Sequence, residues 1–411
     1  MAAVTQLVPT LLGGVSTQPD VKKLSGQVRE ALNCFADPTF GMTKRSGTAF
    51  LSTLADSPDL DHAKWFFILR DNREAYIGCI IKKNIRIWNA ITSEEATVDV
   101  SAGVDYLTAD SPDRLLYDVL TIQDTSIITN KSVIVEGNPN NTFVPKTKGT
   151  VRLLEVSYGA VYEITINGTV EATYTSPDNA DEEPINANTI LDALVSQLSS
   201  VSVTKLDSSL ELSSGSAFTL DSSGGLGNDG LISFQDTIDV AVRLPNQSVK
   251  DRIVNIINTD TDGLGYWAKF IPDDGVKGNG IWEETIDPTV SNGFVNATMP
   301  HQLRSVNINE FVFEPIVFDD REVGNDKTNP QPSFIGSKIQ TAFFSNNRLG
   351  FLSEANVVLS RSGEYFNFYS SSAQAQIASD VIDLSASSTR PVLLFSALNG
   401  PQGILLFSRR Q

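Results

Sequence analysis

The chain has 411 residues, 41% hydrophobic and 19% charged, long enough for two or three domains and a substantial core. Lysine and arginine number 31 against 49 aspartates and glutamates, a net charge of −18. That balance speaks against a protein that grips nucleic acid through its phosphates, since affinity there comes from Lys and Arg, but not against a wall past which DNA slides.

Residues 1–60 carry few strand signals. Gly13-Gly14 and Pro19 predict an extended arm, and residues 27–34 (QVREALNC) read as two helical turns with Val28 and Leu32 on one face. A basic turn follows at Gly41, Lys44-Arg45 and Gly47. Residues 61–150 read as all-β. Runs at 64–69, 75–81 and 85–88 are separated by polar turns, and 120–135 forms a further hairpin-like pair. Alternating polar residues predict sheets with one wet face.

Residues 151–232 change character. Runs at 151–156, 160–166 and 169–174 read as strands, with Asn167-Gly168 as a hairpin turn. An acidic loop at 178–183 precedes a helix over 189–198. There Ile190, Leu191, Leu194, Val195 and Leu198 recur at helical spacing behind Asn188 as N-cap. Strands at 201–205 and 208–212 complete a small inserted α+β domain, and the Ser/Gly-rich stretch 213–230 reads as a loop or linker.

Residues 233–300 return to strands, at 254–257 and 266–271. Between them Asp260-Thr261-Asp262-Gly263 resembles a calcium loop but lacks the third ligand position and the distal glutamate, so it reads as a plain turn. Residues 301–411 contain the stretch that organises the chain, 332–369, an aromatic β-meander. Its apolar runs, 339–352 and 357–368, are broken by turns at Asn346-Asn347, at 354–356 and at Ser362-Gly363. So aromatic a meander needs a second layer, as part of a β-sandwich or as one blade of a propeller. Further strands are expected at 391–397 and 403–408.

The expected fold is therefore mainly β, with β-meander or propeller-like sheets and a small inserted α+β domain. The expected divisions are an N-terminal arm with a short helix (1–60), a β domain (61–150), the insertion (151–232), a β segment (233–300) and the meander (301–411), the start of a propeller-like domain.

Candidate chemistry is sparse. The histidines are His62, in a polar loop, and His301, in a turn, and neither accompanies a G-x-S-x-G elbow. Zinc-binding and phosphate-loop motifs are absent, and Cys34 and Cys79 are too few for a disulfide framework. Asp319-Asp320 and Glu94-Glu95 are the adjacent carboxylates a glycosidase would draw on, but such pairs arise by chance among 49 acidic residues. Trp65, Trp88, Trp267 and Trp282 lie in or beside strand-like runs, which points to core packing rather than sugar binding. No catalytic, cofactor-binding or metal-binding residue is assigned, and the chain reads as a non-enzyme.

Four stretches, in collinear order, carry a resemblance. They are GGVSTQPDVKKLSGQVREALNCFADPTFGMTKRSGT from Gly13, the TNK turn at Thr129-Asn130-Lys131, GIWEETIDPTVSNGFVNATMPHQL from Gly280, and FFSNNRLGFLSEANVVLSRSGEYFNF from Phe343. Together they resemble the tail tubular protein B, or nozzle, family of short-tailed, podovirus-type bacteriophages. Thr17 and Ser46 stand where that family would carry Gln and Pro. The resemblance implies a structural virion protein in the short tail, forming a homohexameric ring that contains a β-propeller. Such a ring hangs below the tail adaptor ring protein, helps carry the tail fibres, and closes the DNA exit until ejection through the host cell envelope. Viral DNA would pass its lumen without sequence-specific binding, and no cofactor is implied. DNA-channel residues are not assigned by it. Family members continue past a motif comparable to LLFSRRQ at Leu405, so this chain is expected to be the front part of a larger protein or an unusually short gene product. The alternative reading is a tail fibre or spike module that binds host surface polysaccharide, or a depolymerase.

Overall fold

The computed structural model describes residues 11–408 except 38, 51, 55–57, 72, 73, 108–113, 140–142, 180–183, 226, 228, 258–264, 387–391, 401 and 402. It divides into two compact units, residues 1–55 and 56–411.

In the smaller unit the Gly13-Gly14 pair has a backbone task. Gly14 takes φ +73°, and a Cβ at Gly13 would stand 2.8 Å from the Gln27 side chain. The chain can therefore fold back on itself: the Val28 N–H donates to the Gly14 carbonyl at 2.9 Å, and Val15 bridges Val28. This pairing corrects the helix expected over 27–34. The Val28 carbonyl, which a helix would offer to Leu32, instead accepts the Ser16 N–H at 3.0 Å, and Asn33 takes a positive φ. The segment ends in a hairpin, β1 (Cys34–Asp37) with β2 (Gly41–Lys44), turned by Asp37 accepting from the N–H groups of Thr39 and Phe40.

The larger unit begins with β3 (Lys64–Leu69), β4 (Ala75–Ile81), β5 (Asn84–Asn89), β6 (Glu95–Asp99), β7 (Tyr117–Ile122) and β8 (Thr125–Asn130). Next come β9 (Lys148–Leu153), β10 (Val161–Ile166), β11 (Thr169–Thr175), α1 (Ala187–Val195), β12 (Ser202–Lys205), β13 (Ser209–Ser213), β14 (Leu220–Gly224) and β15 (Leu231–Phe234). A third group is β16 (Thr237–Ile238), β17 (Gln247–Val249), β18 (Ile253–Ile256), β19 (Tyr266–Pro272) and β20 (Lys277–Thr285). The last is β21 (His301–Asn307), β22 (Glu310–Pro315), β23 (Ile339–Ser345), β24 (Arg348–Ser353), β25 (Asn356–Leu359), β26 (Ile382–Ser385), β27 (Leu394–Gly400) and β28 (Gly403–Ser408). The fold is mainly β, with one α-helix among the described residues.

The largest sheet runs β3-β4-β5-β6-β22-β21-β8-β7. It curls until its outer strands meet, with Lys64 Nζ of β3 placed 3.8 Å from the Asp118 carboxylate of β7. Alternation along β3 turns Phe66 and Ile68 into this near-barrel, where they join Ile85, Ile87, Leu303 and Phe313, while Phe67 and Leu69 face outward and are exposed. Two of its inner strands come from far along the sequence: β21 pairs with β8, and β22 runs parallel to β6. Residues 131–300 are thus looped out between two neighbouring strands.

Within that excursion, β12-β13-β9-β15 and β11-β10-β14 form two sheets over a common core with α1. Asn167 and Gly168 both take positive φ, the requirement of the tight hairpin between β10 and β11. The N-cap of α1 is Asn186 rather than Asn188: its side-chain oxygen accepts the Thr189 N–H at 3.0 Å, so the helix starts two residues earlier than expected. The stretch 213–230 is not a linker. It contains β14, paired with β10, and the buried Phe218. A five-stranded sheet, β16-β18-β19-β20-β17, follows; the Asp260–Gly263 cluster lies outside the described residues.

The meander is real and four-stranded, β23-β24-β25-β26, with β27 and β28 as a hairpin laid against β23 and β24. Asn346 and Asn347 take positive φ in its first turn and Glu354 in its second. The turn expected at Ser362-Gly363 is present, with Gly363 at positive φ, but residues 364–368 do not return to strand, because the Arg361 N–H donates to the Asn367 carbonyl and closes a loop. That loop delivers Phe368 and Tyr369 to the core.

Candidate functional site

The junction of the insertion with the five-stranded sheet is built on a buried ion pair. Arg252, just before β18, places Nε 3.4 Å from Glu211 of β13, and both side chains are almost wholly buried. Thr150 of β9 and Ser248 of β17 donate hydroxyl hydrogens to the two Glu211 oxygens, at 3.0 and 2.6 Å. Arg252 also donates to the carbonyls of Gln235 and Ile253. Burial pushes the Glu211 carboxyl upward from its ordinary range, opposed by Arg252 and the two hydroxyls. Burial likewise lowers Arg252, but a guanidinium starts too high to lose its proton near neutral pH. The network therefore works as a charged rivet between two sheets.

Beside it lies a cavity of about 480 Å3, lined by Phe143, Lys148, Asp236, Asp251, Arg252, Asp287 and Asn292 among others. Its carboxylates are largely occupied with local backbone: Asp236 accepts the Lys146 N–H, and Asp287 accepts from Thr289. No group of three or more His, Cys, Asp or Glu among the described residues is gathered closely enough to hold a metal ion.

The block from Gly280 to Leu303 ties these parts together. A Cβ on Gly280 would meet the Ile271 carbonyl oxygen at 2.2 Å, so the residue lets β20 lie close on β19. The Trp282 indole N–H donates to the Pro245 carbonyl at 2.8 Å, and Glu284 accepts from Ser372 and from the Ala373 N–H. Nearby, fully buried Arg321 donates to Asp326 and to the carbonyls of Asn329 and Ser291, over the ring of Tyr369. In the meander block, Arg348 performs the same service. It donates to the carbonyls of Ser360, Asp380 and Ala378, at 2.6 to 2.8 Å, and clips a loop onto β24.

The candidates of the sequence reading fall in separate places. His62 is exposed at the end of a short helical turn. His301 is not in a turn: it opens β21 and is 2% exposed, stacked on Tyr106 at 4.1 Å and tilted against Phe313. Its Nδ1 faces the Met299 carbonyl at 2.8 Å, and burial pushes its pKa down to about 4. Asn130 of the TNK turn holds the other side of this cluster, donating to the Tyr106 carbonyl at 2.6 Å.

Both Glu95 oxygens accept from Arg86, which holds that carboxyl below its usual range, while Glu94 lies near Thr92 and Asn309. Asp320 is raised by burial and by Asp319, and it packs where a Cβ on Gly293 would be. Trp88 is buried and Trp65 stacks on it at 5.9 Å; Trp267 and Trp282 are half-buried against Phe143 and Phe270. Cys79 is fully buried, its thiol pushed up to about 11 by that burial.

The residues with the most elaborate settings, Arg252, Arg321 and Arg348, were not candidates. A buried arginine has the same letter as a surface one, and only the position of Arg348 inside the aromatic block hinted at its role.

The geometry is that of a multi-sheet scaffold tied by buried arginines. The model of the bacteriophage nozzle protein family matches residues 1–411. Tail tubular protein gp12 of Escherichia phage T7 is 29% identical over 426 residues, covering 99% of this chain and 52% of that protein. The chain therefore spans about half the length of this curated relative. With its whole described length accounted for by that match, the chain belongs to the bacteriophage nozzle protein family.

Proposed function

We propose that this chain is a structural subunit of a short phage tail, in the nozzle ring through which the genome leaves. The observation that carries the reading is the family match over all 411 residues. The composition supports it: at −18 per chain, a ring of such subunits repels phosphate rather than binding it, which suits a conduit for DNA. The ring is a homohexamer seated under the tail adaptor ring, contacting tail fibres, and it retains the genome until the tail meets the host envelope. Buried ties such as Glu211–Arg252 suit a part that must keep its shape under load.

Immunogold electron microscopy of virus particles, with antibody against this chain, tests the reading. Label is expected at the distal end of the short tail. Label on lateral fibres would transfer the protein to host recognition, and protein confined to infected-cell lysate would remove it from the virion.

A further inference from the structure

The chain holds four Asn-Gly pairs, at 167–168, 279–280, 292–293 and 399–400. Asparagine before glycine is the pairing most open to self-attack, because no side chain obstructs the glycine nitrogen on its way to the asparagine Cγ. In three of the pairs the amide is held. Asn167 Oδ1 accepts the Thr219 N–H at 3.0 Å, Asn279 Oδ1 accepts from Gln247 at 2.8 Å, and Asn399 Nδ2 donates to the Phe344 carbonyl at 2.5 Å. The Gly280 N–H is itself engaged by the Asn246 carbonyl at 3.2 Å.

Asn292 differs. Its Oδ1 is buried with no hydrogen-bond partner among the described residues, and its Nδ2 makes one long contact, donating to Asp320 Oδ2 at 3.4 Å. Asp320 Oδ1 occupies the place that a Cβ on Gly293 would fill, so one carboxylate spans both the amide and the glycine. Only glycine permits that approach. Partial burial, and then Asp319, raise the Asp320 carboxyl above its ordinary range, which suits it to exchange a proton. Asp320 is exposed and Asn292 half-buried, so water reaches the pair. The site lies where the looped-out segment returns. The Asn292 carbonyl accepts the Arg321 N–H, the Gly293 carbonyl accepts the Asn138 N–H at 2.8 Å, and Phe294 bridges Gly137.

We propose that Asn292-Gly293 is a self-modifying site that deamidates through a succinimide, with Asp320 as general acid and base. The Gly293 nitrogen bonds to Asn292 Cγ and gives its proton to Asp320. A proton from Asp320 goes to Nδ2, the Cγ–Nδ2 bond breaks, and ammonia leaves. Water then adds to one of the two ring carbonyls and breaks its bond to the ring nitrogen. Addition at Cγ gives aspartate; addition at the main-chain carbonyl gives isoaspartate, with one more carbon in the backbone. Either product sets a new negative charge against Asp319 and Asp320. Isoaspartate also shifts the carbonyls that Arg321 and Asn138 bind, so the site acts as a timer on the rigidity of this neck.

Ageing of the chain at neutral pH, followed by peptide mass spectrometry that separates asparagine, aspartate and isoaspartate, tests it. The other three pairs serve as references in the same molecule. In the folded chain Asn292 is expected to convert about tenfold faster than Asn167, Asn279 and Asn399. It is also expected to convert faster folded than in urea, whereas the references convert faster in urea. An Asn292 that is slower when folded, or no faster than its references, would overturn the proposal. Asp320→Asn is expected to slow conversion at Asn292 about tenfold, with the thermal transition unmoved. An unchanged rate in that folded variant would remove Asp320 from the chemistry and equally defeat the proposal. The comparison of folded with urea-unfolded chain needs no substitution, so it decides even where the variant does not fold.

Discussion

The meander and the junction of the insertion hold the larger unit together by opposite means. Around the meander, Phe351 stacks on Phe368 at 5.1 Å, Phe334 meets both edge-on, and Phe294 stacks on Tyr369. These contacts are apolar and largely non-directional, so they gain by burying area. At the junction, Glu211 and Arg252 are desolvated and recover that loss only because Thr150, Ser248 and two carbonyls complete the network. The first region is tolerant of small geometric error but not of lost volume. The second is indifferent to volume but not to the loss of one partner. A polar tie thus specifies how two sheets meet, where an apolar one would permit several arrangements.

The largest effects come from breaking each region in its own currency. Phe351→Ala should cost about 3–5 kcal/mol of stability, measured by denaturant unfolding, because the cavity it leaves is walled by other rings. Arg252→Met should cost a similar ~3–5 kcal/mol by stranding the buried Glu211 carboxylate. The sharper test is the double variant Arg252→Met with Glu211→Leu, which should recover most of that loss. A double variant as unstable as the single one would show that shape, not charge, governs the junction.

Next in size is a pH effect at the near-barrel, where a polar group is buried among rings. His301 has a folded pKa of about 4 against 6.5 for the free side chain, so the unfolded chain binds the proton more readily. Its contribution is intact above pH 6.5 and is lost as pH falls toward 4, a loss of about 3 kcal/mol at full protonation. His301→Gln should flatten that segment of the stability–pH curve in urea titrations.

Smaller again is Gly280→Ala, which should cost about 1–3 kcal/mol, since the new methyl meets β19 backbone rather than a movable side chain. The least, about 1 kcal/mol, is expected from Asn186→Ala at the start of α1, read as a lowered thermal midpoint. Asn188→Ala should do less, which separates the observed cap from the one expected.

Local features were legible from sequence because their causes are local. The ranges 64–69 and 75–81 came out as read, since a β-rich run bounded by polar turns marks a strand by local composition. The turns at Asn167-Gly168 and Asn346-Asn347 followed from the left-handed backbone those residues accept. The helix of the insertion was found from its apolar spacing, two residues out of register at its cap. The aromatic block identified both the meander and the family. Expectation failed where the outcome depends on a distant partner. Residues 27–28 pair with the glycine pair instead of coiling into a helix, and β14 is recruited from a Ser/Gly-rich stretch because β10 offers it an edge. The parallel join of β22 to β6, the looping out of residues 131–300, and the burial of Arg252, Arg321 and Arg348 belong to the same class. A sequence sets the periodicity and turn chemistry of each segment, but only the assembled chain decides which edges pair and which charges leave water.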